Sequence, residues 1–98
     1  MINLQVRMES GEIVRRGTLG VDGMKVLECF DSDKFPFLGS LLPYADTMFN
    51  SRQVRRLRGE LLEPVVAEIL GRDLIDEIED LCRQVEAGVH LYLWFLGD

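Results

Sequence analysis

The chain has few of the side chains that most catalytic and metal sites need. It contains one histidine and two cysteines in 98 residues. Nucleophilic triads and most transition-metal sites require a histidine with placed partners, and His90 stands alone. Cys29 and Cys82 lie far apart without a Cys-x-x-Cys spacing, which favours two reduced core thiols over a disulfide. The sequence therefore favours a non-enzymatic protein with no metal or other cofactor.

Long apolar runs and export signals are also missing. Every apolar stretch is too short to cross a bilayer, and the first residues alternate in polarity instead of forming a basic segment followed by an apolar one. We therefore expect a cytoplasmic protein that does not bind membranes. The composition, 47% hydrophobic and 29% charged, is that of one ordinary globular domain spanning residues 1–98.

Acidic charge is concentrated near the C-terminus. Residues 1–72 hold ten basic and ten acidic side chains, whereas residues 73–98 hold seven acidic side chains and one base, Arg83. The net charge of -6 therefore belongs to the last quarter of the chain. Because nucleic-acid binding usually needs a net positive surface that releases counterions, DNA and RNA are poor candidates for a partner.

Turn signals divide the first thirty residues into a predicted three-stranded meander. Ser10-Gly11 and Asp22-Gly23 are two-residue turn signals at hairpin spacing, and the segments beside them are rich in apolar residues. The predicted strands are residues 2–9, 12–21 and 24–30.

The segment 31–46 has no hydrophobic period and is interrupted by Pro36, Gly39 and Pro43. Its aromatic and aliphatic side chains indicate a loop that packs against the core, with a turn of helix near residues 38–42.

Two amphipathic helices are predicted after this loop. Apolar residues recur at intervals of three and four from Ser51, which is a suitable N-cap, up to Gly71. Pro64 either kinks this helix or ends it and begins another. A second helix is capped by Asp73 and stopped by Gly88. The short connection between them predicts an antiparallel helical hairpin.

The last ten residues form an apolar and aromatic run that we predict to be a strand. Alternation separates two sets of side chains, Val89, Leu91, Leu93 and Phe95 on one face and His90, Tyr92, Trp94 and Leu96 on the other. Both faces are apolar, so such a strand needs a cover on each side or a partner chain.

Together these elements predict an α+β fold. The order is βββααβ, in which the C-terminal strand completes a four-stranded sheet and the helical hairpin covers one face of it in a two-layer arrangement.

A basic run opens the first predicted helix. Its members are Arg52, Arg55, Arg56 and Arg58. Four cations oppose the helix dipole at this end, so they need compensation. One interpretation is that they form ion pairs with Glu79 and Glu86 across the hairpin. The other is that Arg52, Arg55 and Arg58 bind an acidic protein or a phosphate-bearing ligand.

Two motifs resemble a group of short, mostly uncharacterised bacterial proteins. One is Asp46-Thr-Met-Phe-Asn-Ser-Arg-Gln53, with the pattern Asp-Thr-x-Phe-Asn-x-x-Gln, and the other is the terminal Leu93-Trp-Phe-Leu-Gly-Asp98, with the pattern Leu-Trp-Phe-x-Gly-Asp. The resemblance covers about the C-terminal half. Some small proteins of this build are similar to the immunity partners of bacterial toxins, so the resemblance implies tight binding of another protein and no catalysis.

The polar residues of the first motif have two interpretations. Asp46, Asn50 and Gln53 flank a helix start, where side-chain oxygens satisfy free backbone N–H groups and lock the entering loop. Alternatively, they line a small polar pocket together with Asp98.

We therefore expect a protein-interaction module, of the immunity type, that presents an acidic helix face or the aromatic face of its sheet to a protein partner or to a second copy in a homodimer. The candidate partner-binding residues are His90, Tyr92, Trp94, Arg52, Arg55 and Arg58. The alternative is a small-molecule-binding or enzymatic domain that uses the pocket around Asp46, Asn50 and Gln53.

Overall fold

The computed structural model describes residues 1–97, which form an α+β fold with four α-helices and a four-stranded antiparallel sheet. In chain order the elements are β1 (Asn3–Met8), β2 (Ile13–Arg16), α1 (Gly23–Cys29), a 3-10 turn (Leu38–Ser40), β3 (Asp46–Phe49), α2 (Ser51–Leu61), α3 (Pro64–Leu70), α4 (Arg72–Ala87) and β4 (Leu91–Leu96). The strand order in the sheet is β2-β1-β4-β3.

The first predicted hairpin is confirmed, although its second strand is short. β1 and β2 pair antiparallel around Ser10-Gly11, where Gly11 has a φ of 94°, a conformation that costs glycine little. β2 ends at Arg16 instead of residue 21. Gly17 follows, packed so closely on Leu4 that a Cβ there would lie 3.1 Å from the Leu4 Cβ.

The third predicted strand is wrong, because residues 24–30 belong to helix α1 and its C-cap. Asp22 caps this helix, since its carboxylate accepts hydrogen bonds from the N–H groups of Met24 (3.1 Å) and Lys25 (3.2 Å). The preceding residue, Val21, makes a single bridge to Ile2. Asp22-Gly23 therefore begins a helix instead of turning a hairpin.

The remaining strand of the sheet is β3, which comes just before the first predicted helix. It pairs antiparallel with β4, and Thr47 lies opposite Phe95 while Phe49 lies opposite Leu93. The rings of Phe49 and Phe95 meet edge to face, with centroids 5.8 Å apart. Residues Asp46–Phe49 of the first motif and 93–96 of the second therefore lie on neighbouring strands of one sheet.

The predicted helical hairpin is confirmed, with α2 and α4 as its antiparallel arms. Pro64 ends one helix and begins another, because α2 stops at Leu61 and Pro64 occupies the first turn of α3. Gly71, not Asp73, is the N-cap of α4, and Gly88 ends that helix as predicted. Within residues 1–97 no helix has the length and apolarity needed to cross a membrane.

The core lies between one face of the sheet and the helices α2 and α4, which contact β1, β3 and β4. From the strands it receives Leu4, Val6, Phe49, Leu93 and Phe95. The helices contribute chiefly Val54, Leu57, Leu61, Ile75, Ile78, Leu81, Cys82 and Val85. Phe35, Leu38 and Leu41 of the predicted loop are also buried, and the 3-10 turn lies where a helical turn was predicted.

Candidate functional site

The second face of the sheet carries the aromatic side chains of β4. Alternation directs Leu93 and Phe95 into the core, and Tyr92, Trp94 and Leu96 to the opposite side, where each is half-buried. Ladder pairing defines the other residues of this surface, which we call the outer face. They are Asn3, Gln5 and Arg7 of β1, Ile13 and Arg16 of β2, and Asp46 and Met48 of β3.

Arg7 stacks on Trp94 at the centre of the outer face. Its guanidinium carbon lies 4.7 Å from the centroid of the indole ring, and its Nε donates a hydrogen bond to Gln5 Oε1 at 2.9 Å. Such a cation–π contact contributes about 0.5–1 kcal/mol at an exposed site. The stack fixes the orientation of a cation and an aromatic ring on an open surface, and both groups are common in protein interfaces.

Charges are distributed unevenly across the outer face. Arg7 and Arg16 lie on β1 and β2, whereas Asp46 lies on β3 at the opposite edge of the sheet. None of these three side chains forms an ion pair with another part of residues 1–97. Met48, the ladder partner of Trp94 on β3, is 47% exposed, so apolar surface continues from Trp94 to the β3 edge.

His90 lies beside the outer face and not on the strand, contrary to the prediction. It precedes β4 with a φ of 54°, in the left-handed region that a non-glycine residue rarely adopts. Its ring is exposed, with Nδ1 at 3.8 Å from Glu9 Oε2. Val89 is exposed as well, so the alternation predicted for the strand begins only at Leu91.

The ion-pair interpretation of the basic run is confirmed for Arg55 and Arg58. Nη1 of Arg58 lies 2.8 Å from Glu86 Oε2, Nη2 of Arg58 lies 3.7 Å from Glu79 Oε1, and Nε of Arg55 lies 3.5 Å from Glu86 Oε1. The hydrogen bond to Glu86 raises the pKa of Arg58. The pKa of Glu79 is lowered by its hydrogen bond from Arg83 and by the charge of Arg58.

Two other members of the run have no such role. Arg52 and Arg56 form no ion pair with any residue from 1 to 97, and both line a surface depression of about 340 Å³ at the start of α2. The basic run therefore divides into a pair that joins the helices and a pair that faces solvent.

The predicted polar cluster is split by the structure. Asn50 and Gln53 form a reciprocal capping box, in which Asn50 Oδ1 accepts from the Gln53 N–H and Gln53 Oε1 accepts from the Asn50 N–H, both at 2.9 Å. Asn50 is thus the N-cap that we predicted at Ser51. Both side chains line the depression with Phe37 and the two arginines, but Asp46 does not, because it lies at the far end of β3. Asp98 lies outside the described residues.

Both cysteines are free thiols, and only Cys82 is in the core. Burial raises the pKa of Cys82 to about 12, which keeps it protonated at neutral pH. Cys29 is exposed at the end of α1, so the prediction of two core thiols is wrong for this residue. Within residues 1–97, no three side chains of histidine, cysteine or carboxylate type are grouped to hold a metal ion.

Several residues that shape the surface were missed from the sequence. Arg7, Arg16 and Met48 join Trp94 only through strand pairing, and no local spacing marks them. Glu60 was also missed. Its carboxylate accepts hydrogen bonds from the N–H groups of Phe37 and Leu38, both at 2.9 Å, and so fixes the 3-10 turn to α2.

Comparisons of the chain with protein-family models, with curated proteins and with solved structures find no match. Any inference about function therefore depends on the residues and geometry of the surface.

Proposed function

We propose that this chain is a non-enzymatic protein-interaction module and that the outer face is its binding surface. The observation that carries the proposal is the half-exposed pair Tyr92 and Trp94 on the central strand β4 of an antiparallel sheet, on the face opposite the buried Leu93 and Phe95. The proposal includes a two-layer arrangement, in which α2 and α4 are the cover of one face and a bound protein is the cover of the other.

The composition of the outer face supports this role. Tyrosine, tryptophan and arginine are the residues most enriched among those that dominate binding energy, and here Tyr92, Trp94 and Arg7 are adjacent. Met48 and Leu96 extend the apolar area around Trp94, and Asn3, Arg16 and Asp46 supply polar groups at its margin. This order, an apolar centre with a polar margin, is typical of protein interfaces.

The charges of the outer face indicate the chemistry of a complementary partner surface. Arg7 and Arg16 have no carboxylate partner in residues 1–97, so a complementary surface offers these cations a carboxylate or an aromatic ring and is apolar opposite Trp94. An immunity-type role, which the resemblance implies, would make that partner another bacterial protein. The acidic side of α4 is less suited to this function, since Glu79 and Glu86 already pair with arginines.

The alternative of a small-molecule or enzymatic pocket has less support. The polar atoms of Asn50 and Gln53 that face the start of α2 are used in the capping box. Asp46, which the pocket hypothesis requires, is absent from the lining of the depression.

Site-specific photo-crosslinking in living cells tests the proposal. A photoreactive amino acid at Asn3 stands at the exposed margin of the outer face, and the same probe at Asp80, exposed on α4, is the matched control. We expect a protein adduct from position 3 that is absent from position 80 and is lost when Tyr92→Ala is added.

The adduct must then be reproduced with purified components. Trp94 is the single tryptophan of the chain, so the purified partner should shift its emission, and Tyr92→Ala keeps this reporter while weakening binding. Adducts from position 80 alone, or none from position 3, would contradict the proposal.

A further inference from the structure

The outer face is complementary to itself in charge. Its basic side chains, Arg7 and Arg16, lie on the β1 and β2 half of the sheet, and its carboxylate, Asp46, lies on the β3 edge. Two copies of such a face attract each other when the basic half of one meets the acidic edge of the other.

Only one of the two simple face-to-face symmetries achieves this. A two-fold axis perpendicular to the strands would set β2 over β2, with Arg16 near Arg16 of the second copy, because like elements face each other. A two-fold axis parallel to the strands, running between β1 and β4, sets β1 over β4 and β2 over β3. The charges therefore select the parallel axis.

We propose that the partner of the outer face is a second copy of this chain, related by a two-fold axis parallel to the strands between β1 and β4. This inference rests on the proposed function and identifies the partner. Since rotation about this axis preserves height along the strands, each β1 residue faces the copy of its own ladder partner.

The resulting contacts are complementary at the centre. Arg7 pairs with Tyr92 in the ladder, so it faces Tyr92 of the second copy while it stacks on its own Trp94. Its guanidinium then lies between two aromatic rings. Gln5 pairs with Trp94 and faces the indole of the other copy, which covers the half-exposed ring from above.

The edges are complementary as well. Gln5, Trp94, Arg16 and Met48 share one level of the sheet, so Arg16 faces Met48 of the second copy. Asp46 is two residues from Met48, about 7 Å along the strand, a distance that an arginine side chain spans. The roughly 30° rotation between packed sheets leaves this pairing in reach. Two Arg16–Asp46 pairs form in each dimer.

The small area of the face limits the strength of association. Two strands of six residues and two of four, about 4.8 Å apart, make a face on the order of 300 Å², less than half of what each partner contributes to an interface of standard size. We therefore expect a reversible dimer with a dissociation constant on the order of micromolar, which must be measured by titration.

Paired charge reversals test the inference. Sedimentation velocity over a concentration series should show the 98-residue chain passing from monomer to dimer. Arg16→Glu alone and Asp46→Arg alone each create two repulsive contacts per dimer, and each should weaken self-association about tenfold. An equimolar mixture of the two variants should regain the dimer. In the mixed dimer the two introduced side chains, of opposite charge, face each other at one edge, and the native Arg16 and Asp46 face each other at the other.

The matched controls carry the same charge changes elsewhere. Arg56→Glu and Asp80→Arg change exposed residues outside the outer face and should leave the dimer unchanged. Circular dichroism melts of all variants verify that folding is retained.

The outcomes separate this inference from the proposed function. A wild-type chain that stays monomeric throughout the series, or a mixture that does not recover, overturns the dimer. If the probe at Asn3 then crosslinks a different protein, the proposed function stands with a foreign partner, and if it crosslinks nothing, both proposals fail.

Discussion

At the scale of single residues, Glu77 joins two distant parts of the chain. It lies on α4, and one carboxylate oxygen accepts hydrogen bonds from the N–H groups of Thr18 (2.9 Å) and Leu19 (2.8 Å), while the other accepts from the Thr18 hydroxyl. Burial on its own raises the pKa of Glu77, but these hydrogen bonds outweigh it, and the pKa is lowered. The segment after β2 is thereby fixed to α4.

We expect Glu77→Gln to cost about 1–2 kcal/mol at pH 7, because hydrogen bonds to a charged acceptor are lost. Since the pKa of the folded state is below the ordinary 4.5, this stabilisation is complete above that value and is lost as the pH falls through the folded pKa. Urea unfolding at pH 7 and at pH 3 should therefore give a difference between wild type and variant that shrinks in acid.

Asp76→Asn is the control for this experiment, because Asp76 is exposed and makes only a surface pair with Arg72 at 3.2 Å. Its effect should stay within about 0.5 kcal/mol. An equal loss for Glu77→Gln at both pH values would contradict the assigned role of the carboxylate.

Contacts between side chains were predictable from the sequence where both residues lie on the predicted helical hairpin. Arg58 and Glu86 carry opposite charges on adjacent antiparallel helices, so their pairing was foreseen. The contact between Glu77 and Thr18 was not, because these residues are 59 positions apart and their meeting depends on where the chain goes after β2.

At the scale of elements, α1 and β3 explain the one topological error. Val26 and Phe30 are both buried and are four residues apart, which fits a helix, while the turn signal Asp22-Gly23 and the apolar content of the same segment favoured a strand. Local sequence cannot decide between these. A meander would place residues 24–30 beside β2, but β2 stays an edge strand, Asp22 caps a helix over this segment, and β3 supplies the fourth strand beside β4.

The start of α2 gives a test at this scale. Asn50→Ala removes the side-chain acceptor of the capping box and should destabilise the protein by about 1 kcal/mol, because the Gln53 N–H loses its partner. Ser51→Ala is the matched control, since Ser51 is exposed and makes no capping bond, and it should cost only a few tenths of a kcal/mol. Thermal unfolding measures both, and a larger loss for Ser51→Ala would contradict the assignment of Asn50 as the N-cap.

At the scale of the whole molecule, the C-terminal strand organises the fold. Its two apolar faces predicted a need for cover on both sides, and the structure gives it a neighbour on each edge, β1 and β3, with helices on one face. The central position removes the risk of edge pairing, because both edges of β4 are already used. What the sequence did not reveal is the composition of the outer face, since Arg7 and Met48 come from distant segments.

The two faces of β4 should therefore respond differently to truncation. Leu93 is fully buried, so Leu93→Ala should cost about 2–5 kcal/mol through lost burial and an unfilled cavity. Tyr92, its neighbour on the outer face, is half-buried and lies across from Arg7, so Tyr92→Ala should cost about 1 kcal/mol or less. Urea unfolding followed by the emission of Trp94 measures both variants in the same background.

The effects of the same two substitutions on binding should have the opposite order to their effects on stability. At protein concentrations and temperatures where both variants are folded, Tyr92→Ala should weaken association of the outer face, whereas Leu93→Ala should leave it nearly unchanged, because Leu93 touches only the core. A residue that contributes little to stability and much to association acts in recognition. If Tyr92→Ala instead destabilised the fold as strongly as Leu93→Ala, its ring would belong to the core, and the outer face would lose its central contact.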